Sequence, residues 1–159
     1  MSNNALYERF LLLAEDFNRQ SDIVPLLYGS LGLEVLTGAD TSPEDIDVLV
    51  PLAFLQDRWD ELRQLIESRG YTLVDLRERE FDNGQHKIAF ADIEDLEAFA
   101  GIRPEEIEER EDGAAKYKLL NLRQYYAVYN RSVLDGYRIG TRNKKDNEKI
   151  ELIENLLGQ

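Results

Sequence analysis

Two short apolar segments, residues 23–28 and 45–52, constrain the fold more than any other feature of this chain. Each is rich in leucine, isoleucine and valine, which is typical of a buried strand. The first segment ends at Gly29-Ser30, and the apolar residues 31–36 that follow lead to a glycine, which is typical of a helix and its C-terminal end. The turn-forming sequence ADTSPE separates this helix from the second segment. Together they predict a strand, a helix and a second strand.

The chain on either side adds helices and two further strands. Apolar residues at helical spacing predict one helix with Leu6, Phe10, Leu13 and Phe17 inward, and another with Leu55, Trp59, Leu62 and Ile66 inward. Residues 71–80 and 85–91 are predicted to be strands that meet at Asn83-Gly84, a sequence typical of a hairpin turn.

The C-terminal part is predicted to be helical. Asn121 and Gln124 have the spacing of a capping box, which opens a helix. The side chains expected to face inward on this helix are Leu122, Tyr126, Tyr129 and Val133. A last helix is expected over residues 146–157, while the acidic residues 92–112 fit either short helices or strand-edge loops. Strands that alternate with helices before a helical end predict an α/β or α+β fold.

The second apolar segment opens with the sequence Asp-x-Asp. Because side chains alternate along a strand, Asp45 and Asp47 share one face with Leu49 and the apolar residues between them share the other. Two neighbouring carboxylates repel each other unless they share a divalent cation. Gly29-Ser30 at the start of a helix offers backbone N–H groups and a hydroxyl to a phosphate. The two halves together predict a site for a metal ion and a triphosphate.

Composition limits the chemistry of such a site. The 159 residues include no cysteine and one histidine, His86, which excludes a disulfide, a thiolate zinc site, an iron–sulfur cluster and a cysteine nucleophile. Any bound metal is therefore a hard cation held by carboxylate oxygens. No apolar run is long enough to span a bilayer, and the N-terminal residues lack the pattern of a signal peptide, so we expect a cytoplasmic protein.

Charge is unevenly distributed along the chain. The net charge of −13 disfavours extended nucleic acid as a partner. Residues 92–112 carry 10 acidic and 2 basic side chains, a balance suited to a cationic small molecule or a basic protein partner. Residues 113–149 carry 9 basic and 3 acidic side chains, a balance suited to a small anion such as a triphosphate.

The order of these features resembles the nucleotidyltransferase superfamily of the DNA polymerase β type. That family has an apolar strand, Gly-Ser, a helix and Asp-x-Asp on the next strand, and Gly29, Ser30, Asp45 and Asp47 match it residue by residue. The resemblance implies a mixed sheet flanked by helices, with a helical C-terminal part. It implies one domain, whose core covers about residues 1–120 and whose C-terminal helices cover about residues 121–158.

The family also has a third carboxylate on a later strand. Asp92 fits this position best, because it ends the sequence HKIAFAD and shares one face of that strand with Ile88 and Phe90. Glu94 has the same parity and remains the alternative. The sequence around Arg142 also resembles an element of the small bacterial toxin–antitoxin and antibiotic-modifying nucleotidyltransferases.

The resemblance implies transfer of a nucleoside monophosphate from a nucleoside triphosphate to a hydroxyl of a small molecule or protein. The carboxylates expected to hold Mg²⁺, as two ions, are Asp45, Asp47 and Asp92, and the last is also the expected general base. Gly29 and Ser30 are expected to hold the phosphates. The basic residues expected to contact the triphosphate are Lys116, Lys118 and Arg142. The acidic stretch favours a cationic acceptor, such as an aminoglycoside, over transfer RNA.

Two departures from the family pattern keep other interpretations open. The offset of 15 residues from Ser30 to Asp45 is longer than the commonest spacing in the family, and the helix after Asn121 lacks the lysine that many relatives carry. A catalytically inactive, antitoxin-like binding partner is therefore the main alternative to an enzyme. A structural acidic domain with solvated aspartates is the third. Mg²⁺-dependent nucleotide binding separates the first interpretation from the other two.

Overall fold

The computed structural model describes residues 4–134 and 141–158. Within them lie six α-helices: α1 (Asn4–Asp16), α2 (Gly29–Thr37), α3 (Trp59–Ser68), α4 (Asp95–Ala100), α5 (Leu122–Leu134) and α6 (Thr141–Leu157). The strands of this part form one sheet: β1 (Leu26–Tyr28), β2 (Ile46–Val50), β3 (Thr72–Asp75), β4 (Glu80–Asp82), β5 (Lys87–Asp92), β6 (Glu108–Asp112) and β7 (Ala115–Leu119). No helix in the described part is long and apolar enough to cross a bilayer. The predicted α/β class is confirmed.

The predicted strand–helix–strand unit lies at the centre of the sheet. The strand order is β3-β4-β5-β2-β1-β7-β6, with β1 antiparallel to β2 and parallel to β7, and β2 parallel to β5. Gly38 ends α2 in the left-handed conformation (φ 77°), and its N–H donates a 2.8 Å hydrogen bond to the Glu34 carbonyl. Because β1 and β2 are antiparallel, the end of β1 and the start of β2 meet at one edge of the sheet.

The two faces of β2 contact different apolar clusters, as the alternation predicts. Ile46, Val48 and Val50 pack with the inward side chains of α1 and α3. Leu49 packs on the other face with residues of α4, α5 and α6. Each of these side chains is at most 5% exposed, and burial of one such side chain contributes about 1.5–3 kcal/mol. The side of the sheet that carries Asp47 is thus the side that α5 and α6 cover.

Residues 71–80, predicted as one strand, form two. β3 and β4 are antiparallel neighbours, and the turn between them contains Arg79 in the left-handed region (φ 51°). The predicted hairpin at Asn83-Gly84 is present and joins β4 to β5, with Gly84 at φ 92°. Residues 92–112 resolve into α4, a short 3₁₀ turn at Pro104–Glu106 and β6.

A hairpin of β6 and β7 is a structural element that the sequence interpretation missed. β7 is the parallel neighbour of β1, with Leu119 opposite Leu27. Its burial alternates: Ala115, Tyr117 and Leu119 are buried on the α1 side, and the lysines between them lie on the other face. This period of two was visible in the sequence AKYKL.

Helix α5 begins where the capping box predicts. The Asn121 N–H donates to Gln124 Oε1 at 2.9 Å, and the Gln124 N–H donates to Asn121 Oδ1 at 2.8 Å. The inward face, however, is centred on Tyr125, which is fully buried, with Tyr129 beside it. Tyr126, predicted inward, is half-buried and donates a 2.8 Å hydrogen bond to Glu154 Oε2. Tyr129 was correctly predicted to face inward, whereas Tyr125 was missed and Tyr126 was placed too deep; the side chain of Val133 lies outside the described residues.

Candidate functional site

The turn from β1 into α2 lies directly against the Asp47 carboxylate. Tyr28 pairs with Asp47 across the two strands, which brings the next residue, Gly29, to the Asp47 side chain. A Cβ atom on Gly29 would lie 2.5 Å from Asp47 Oδ2. Gly29 also has φ 67°, a conformation that side chains other than glycine rarely adopt. The structure therefore brings the Gly-Ser and Asp-x-Asp parts of the motif together at one point.

The N-terminus of helix α2 lies beside Asp47, and we call the region formed by Gly29, Ser30, Asp45 and Asp47 the cleft corner. The first N–H groups of a helix have no acceptor within the helix and carry partial positive charge. Gly29 and Ser30 provide the first two of these N–H groups. The Ser30 carbonyl accepts a 2.6 Å hydrogen bond from Thr41 Oγ1, and the Thr41 N–H donates to Glu34 Oε1 at 3.0 Å. The extra residues between Ser30 and Asp45 are thus folded back onto α2.

A cleft of about 1220 Å³ opens over this corner. That volume exceeds the roughly 300–1,000 Å³ of a pocket for one drug-sized ligand. On the motif side the cleft is lined by Gly29, Ser30, Ala39, Asp40, Thr41, Ser42, Glu44, Asp45 and Asp47. On the helical side it is lined by Phe99, Tyr125, Val128, Tyr129, Ser132, Glu148, Lys149 and Leu152.

Asp45 immediately precedes β2 and lines both this cleft and a smaller pocket next to the β4–β5 hairpin. Loss of hydration and the neighbouring Glu80 carboxylate raise the pKa of Asp45, and Lys87 opposes them. The side chains of Glu44 and Asp82 raise the pKa further. Negative charge is therefore concentrated at this end of the cleft, which favours a bound cation.

Asp92 does not join this pair. In the parallel pairing of β2 with β5, Ala89 lies opposite Asp47 and Asp92 lies opposite Val50. Asp92 therefore shares the face of Phe90, which packs into the apolar cluster of α1 and α3, and Asp92 does not line the cleft. The expectation that Asp92 completes a three-carboxylate site is wrong, because the face it shares with Ile88 and Phe90 is the opposite one.

Glu94, the alternative third carboxylate, also lies away from Asp45 and Asp47. Its N–H donates a 2.8 Å hydrogen bond to Asp92 Oδ1, and its Oε2 accepts one of 3.2 Å from the Leu52 N–H. These contacts hold it beyond the end of β5. The position opposite Asp47 is instead occupied by the methyl group of Ala89, and Ala91 follows on the same face.

The carboxylates of the cleft fit Mg²⁺ when a phosphate supplies some of its other ligands. Within residues 4–134 and 141–158, no three histidine, aspartate or glutamate side chains are placed to hold a metal ion. Mg²⁺, however, is usually held by one or two carboxylates with water and substrate phosphate oxygens as its other ligands. Asp45 and Asp47 beside the start of α2 provide the carboxylates and a place for the phosphate.

Two of the three basic residues expected at the triphosphate, Lys116 and Lys118, are not brought to the cleft. Lys118 is level with Leu26, before the edge at which the cleft opens, and its Nζ donates to the Pro104 carbonyl at 3.4 Å. Lys116 lies further back on β7 and is exposed, with its backbone hydrogen-bonded to the Asn18 side chain. The side chain of Arg142 lies outside the described residues.

Lys149 is the basic side chain of the described cleft lining that sequence reasoning missed. It lies on α6, within the predicted last helix and at the end of the basic stretch, so the charge pattern was the available signal. The acidic rim also differs from the expectation. Of residues 92–112, the described lining includes Phe99 alone, and the acidic side chains at the cleft are Asp40, Glu44, Glu78 and Glu148 in addition to the aspartate pair.

Two solved structures of ANT(2'')-Ia share this fold. The crystal structure in complex with adenylyl-2''-tobramycin has a TM-score of 0.56 at 12% identity and covers 94% of each chain. The solution structure, described as that of an antibiotic-resistance factor, has a TM-score of 0.52 at 14% identity and covers 99% of this chain and 92% of the other. At such low identity the similarity shows the fold, which is nucleotidyltransferase-like.

One protein is similar to this chain in sequence over nearly its whole length. No protein-family model matches the chain. The uncharacterized protein YnaI of Bacillus subtilis (strain 168) is 49% identical over 152 residues, which cover 96% of this chain and 97% of YnaI. A protein with this fold and this degree of identity over nearly its whole length belongs to the same family as YnaI.

Proposed function

We propose that this protein is a Mg²⁺-dependent nucleotidyltransferase, which transfers a nucleoside monophosphate from a nucleoside triphosphate to a hydroxyl of a second substrate. The observation that carries the proposal is the contact between the Gly29 turn and the Asp47 carboxylate. It joins a helix N-terminus, which binds anions, to a carboxylate pair, which binds a hard cation. A triphosphate with its Mg²⁺ matches both halves of this corner.

The residues of the corner have separate roles in this proposal. Asp45 and Asp47 bind the Mg²⁺ that the triphosphate carries, and the bound ion neutralises charge on the leaving pyrophosphate. The N–H groups of Gly29 and Ser30 hold phosphate oxygens. Lys149, on the α6 side of the same cleft, adds positive charge facing the triphosphate. Asp92 has no role here.

The reaction is a substitution at phosphorus. The oxygen of the acceptor hydroxyl forms a bond to the α-phosphorus, the bond from that phosphorus to pyrophosphate breaks, and the hydroxyl proton passes to water. The protein contributes mainly by holding the two substrates in line and by balancing charge. The size of the cleft is consistent with simultaneous binding of both substrates.

The acceptor is proposed to be a cationic small molecule. Asp40, Glu44, Glu78 and Glu148 surround the space beyond the aspartate pair, and Phe99 and Tyr129 supply an apolar wall. Acidic groups in a cleft raise the local concentration of a cation. The ANT(2'')-Ia complex supports this choice, because that protein holds an adenylylated tobramycin.

A transfer assay tests the proposal. Each of the four α-labelled nucleoside triphosphates is incubated with Mg²⁺ and a panel of aminoglycosides, neutral polyols and basic proteins, and both pyrophosphate and labelled product are measured. We expect Mg²⁺-dependent product with one nucleotide and a cationic acceptor. Asp47→Asn is expected to lower turnover by about 10³-fold, which corresponds to about 4 kcal/mol. Asp92→Asn is the matched control and is expected to retain full activity.

A catalytically inactive binding protein is the second candidate, and the methyl group of Ala89 opposite Asp47 favours it. A nucleotidyltransferase that had lost its third carboxylate would bind a nucleoside triphosphate weakly or not at all. Weak or absent nucleotide binding, together with no pyrophosphate release in any acceptor mixture, would favour this candidate over the enzyme.

A further inference from the structure

The hydroxyl of Tyr125 lies beneath the turn that begins α2. Tyr125 belongs to α5, its side chain is fully buried, and its hydroxyl donates a 3.0 Å hydrogen bond to the Gly29 carbonyl oxygen. The two residues are 96 positions apart in the chain. The turn is therefore held by a different element, through a buried side chain in the wall of the cleft.

The space for this hydroxyl exists because residue 32 is glycine. A Cβ atom on Gly32 would overlap the Tyr125 hydroxyl and would lie 2.7 Å from the Leu27 carbonyl oxygen. Gly32 is inside α2, where glycine is unfavourable compared with alanine. The close approach of Tyr125 and of the Leu27 carbonyl, rather than a special backbone conformation, thus explains the glycine at this position.

The hydrogen bond sets the direction of a neighbouring N–H group. A trans peptide unit is planar, and its C=O and N–H point in opposite directions. The peptide unit that carries the Gly29 carbonyl also carries the Ser30 N–H. When Tyr125 fixes the Gly29 carbonyl, the Ser30 N–H is directed away from Tyr125, and Ser30 lines the cleft.

We propose that Tyr125 is a positioning residue for phosphate binding: its hydroxyl fixes the Gly29–Ser30 peptide unit, so that the Ser30 N–H is aimed at a phosphate beside Asp47. This inference rests on the proposed function of the cleft. Tyr125 acts through Gly29 and does not contact the nucleotide itself. Burial raises the pKa of the Tyr125 hydroxyl well above its ordinary value, so the group remains a donor across the working pH range.

Tyr125→Phe tests this inference because it removes the hydroxyl and keeps the ring. Tyr126→Phe is the matched control: it removes a hydroxyl from the next residue of the same helix, where the hydrogen bond runs to Glu154 instead. Binding of each nucleoside triphosphate with Mg²⁺ is measured by calorimetry, and folding is checked by chemical unfolding. We expect Tyr125→Phe to weaken binding of the preferred nucleotide about tenfold and Tyr126→Phe to leave it unchanged. In turnover assays Tyr125→Phe should raise KM for the nucleotide while kcat changes little.

Gly32→Ala disturbs the same hydrogen bond by adding a methyl group next to the Tyr125 hydroxyl. The added methyl displaces the Tyr125 hydroxyl and should also weaken nucleotide binding. In the double variant Gly32→Ala/Tyr125→Phe the methyl occupies part of the space that the hydroxyl leaves. The two effects on affinity should therefore be less than additive, whereas unrelated structural damage would add.

The outcomes separate this inference from the proposed function. If the wild-type protein binds no nucleoside triphosphate, the proposed function and the role of Tyr125 are both contradicted. If wild type binds and Tyr125→Phe binds equally well, only the role of Tyr125 is overturned. Should Tyr125→Phe fail to fold, nuclear magnetic resonance of the wild type decides: the Ser30 amide proton must shift on titration with the Mg²⁺–nucleotide. An unchanged Ser30 amide would contradict the inference.

Discussion

Two acidic regions on opposite faces of the sheet, around Asp16 and around Asp45, shift the pKa of their carboxylates in opposite directions. On one face, Asp16 is buried and receives hydrogen bonds of 2.6 and 2.9 Å from Arg69, which lower its pKa against the effect of burial. On the other face, Asp45 lies among carboxylates, and burial together with Glu80 raises its pKa. The protein neutralises the first charge with its own side chain and concentrates charge at the second.

The difference in charge balance indicates that the region around Asp16 is structural and the region around Asp45 is functional. The Asp16–Arg69 pair joins the end of α1 to the residue that follows α3, and its charges are balanced without a ligand. The charge around Asp45 costs stability unless a cation is present, and such an arrangement in a cleft is typical of a functional site. Each substitution below changes one of the corners and leaves the other intact, and the pH dependence compares the two.

The largest effect is expected from Gly29→Ala in the cleft corner. Its Cβ would collide with Asp47 Oδ2 and would stand in the left-handed region, so the turn and the carboxylate must move apart. We expect nucleotide affinity to fall at least about 100-fold, or about 2.7 kcal/mol. Gly38→Ala is the control, because Gly38 has a similar φ and no atom within 4 Å of an added Cβ. It should cost about 1 kcal/mol of stability and leave nucleotide binding unchanged. Equal loss of affinity in both variants would show that strain, and not the Asp47 contact, is responsible.

Asp16→Asn breaks the structural corner. The variant leaves Arg69 without its carboxylate, and we expect the free energy of unfolding to fall by about 2 kcal/mol, less than for a fully buried pair because Arg69 is 37% exposed. Urea unfolding measures this loss, and nucleotide affinity should not change. Glu67→Gln, which removes the exposed pair with Arg63 on α3, is the control and should cost less than 1 kcal/mol. A loss no larger than that of the control would contradict a structural role for the pair.

Ala89→Asp adds a third carboxylate to the cleft corner. Residue 89 is directly opposite Asp47, and neighbouring strands are about 4.8 Å apart, so the new carboxylate can share a cation with the pair. We expect the affinity for Mn²⁺, used as a spectroscopic probe, to rise about tenfold. The stability of the metal-free variant should fall because like charges are added. Ala91→Asp, two residues further along the same face, is the control, and an equal gain there would point to a general charge effect.

The smallest effect is the pH dependence, which should have opposite signs in the two corners. Because the pKa of Asp16 is lowered by folding, its contribution to stability is complete above the unfolded-state pKa of about 3.9 and is lost as pH falls through the folded-state value. Because the pKa of Asp45 is raised, its contribution is complete below about 3.9 and is lost as pH rises through the folded-state value. Without metal, Asp45→Asn should therefore be more stable than wild type at pH 7, and the gain should vanish in acid. Unfolding free energies measured from pH 3 to 7 test both signs.

The sequence was sufficient for those parts of the fold and of the site that depend on neighbouring residues. The strand–helix–strand unit, the end of α2 at Gly38, the hairpin at Asn83-Gly84 and the capping box of α5 follow from local chemistry, and each is present. Gly29 and Asp47 could be predicted to meet because Gly29 directly follows β1 and Asp47 lies near the start of β2, the next strand along the chain.

The errors concern contacts that depend on the register of distant strands or on the phase of a helix. Which residue of β5 lies opposite Asp47 is set by packing of the whole sheet, and a displacement of one residue moves a side chain to the other face. Asp92 fell on the wrong face for this reason. The phase of α5 was ambiguous because Tyr125, Tyr126 and Tyr129 give two adjacent apolar stripes, and only the close approach to Gly32 selects Tyr125.

Thermal unfolding with each nucleoside triphosphate, with and without Mg²⁺, tests the central claim most directly. The claim is that the Gly29–Asp47 corner binds a triphosphate together with its metal ion. A ligand at 100 times its Kd stabilises the folded state by about 2.7 kcal/mol, which raises the Tm by several degrees. We expect such a rise for one nucleotide, dependent on Mg²⁺ and absent in Asp47→Asn. No rise with any nucleotide, or a rise of equal size without Mg²⁺ and in Asp47→Asn, would contradict it.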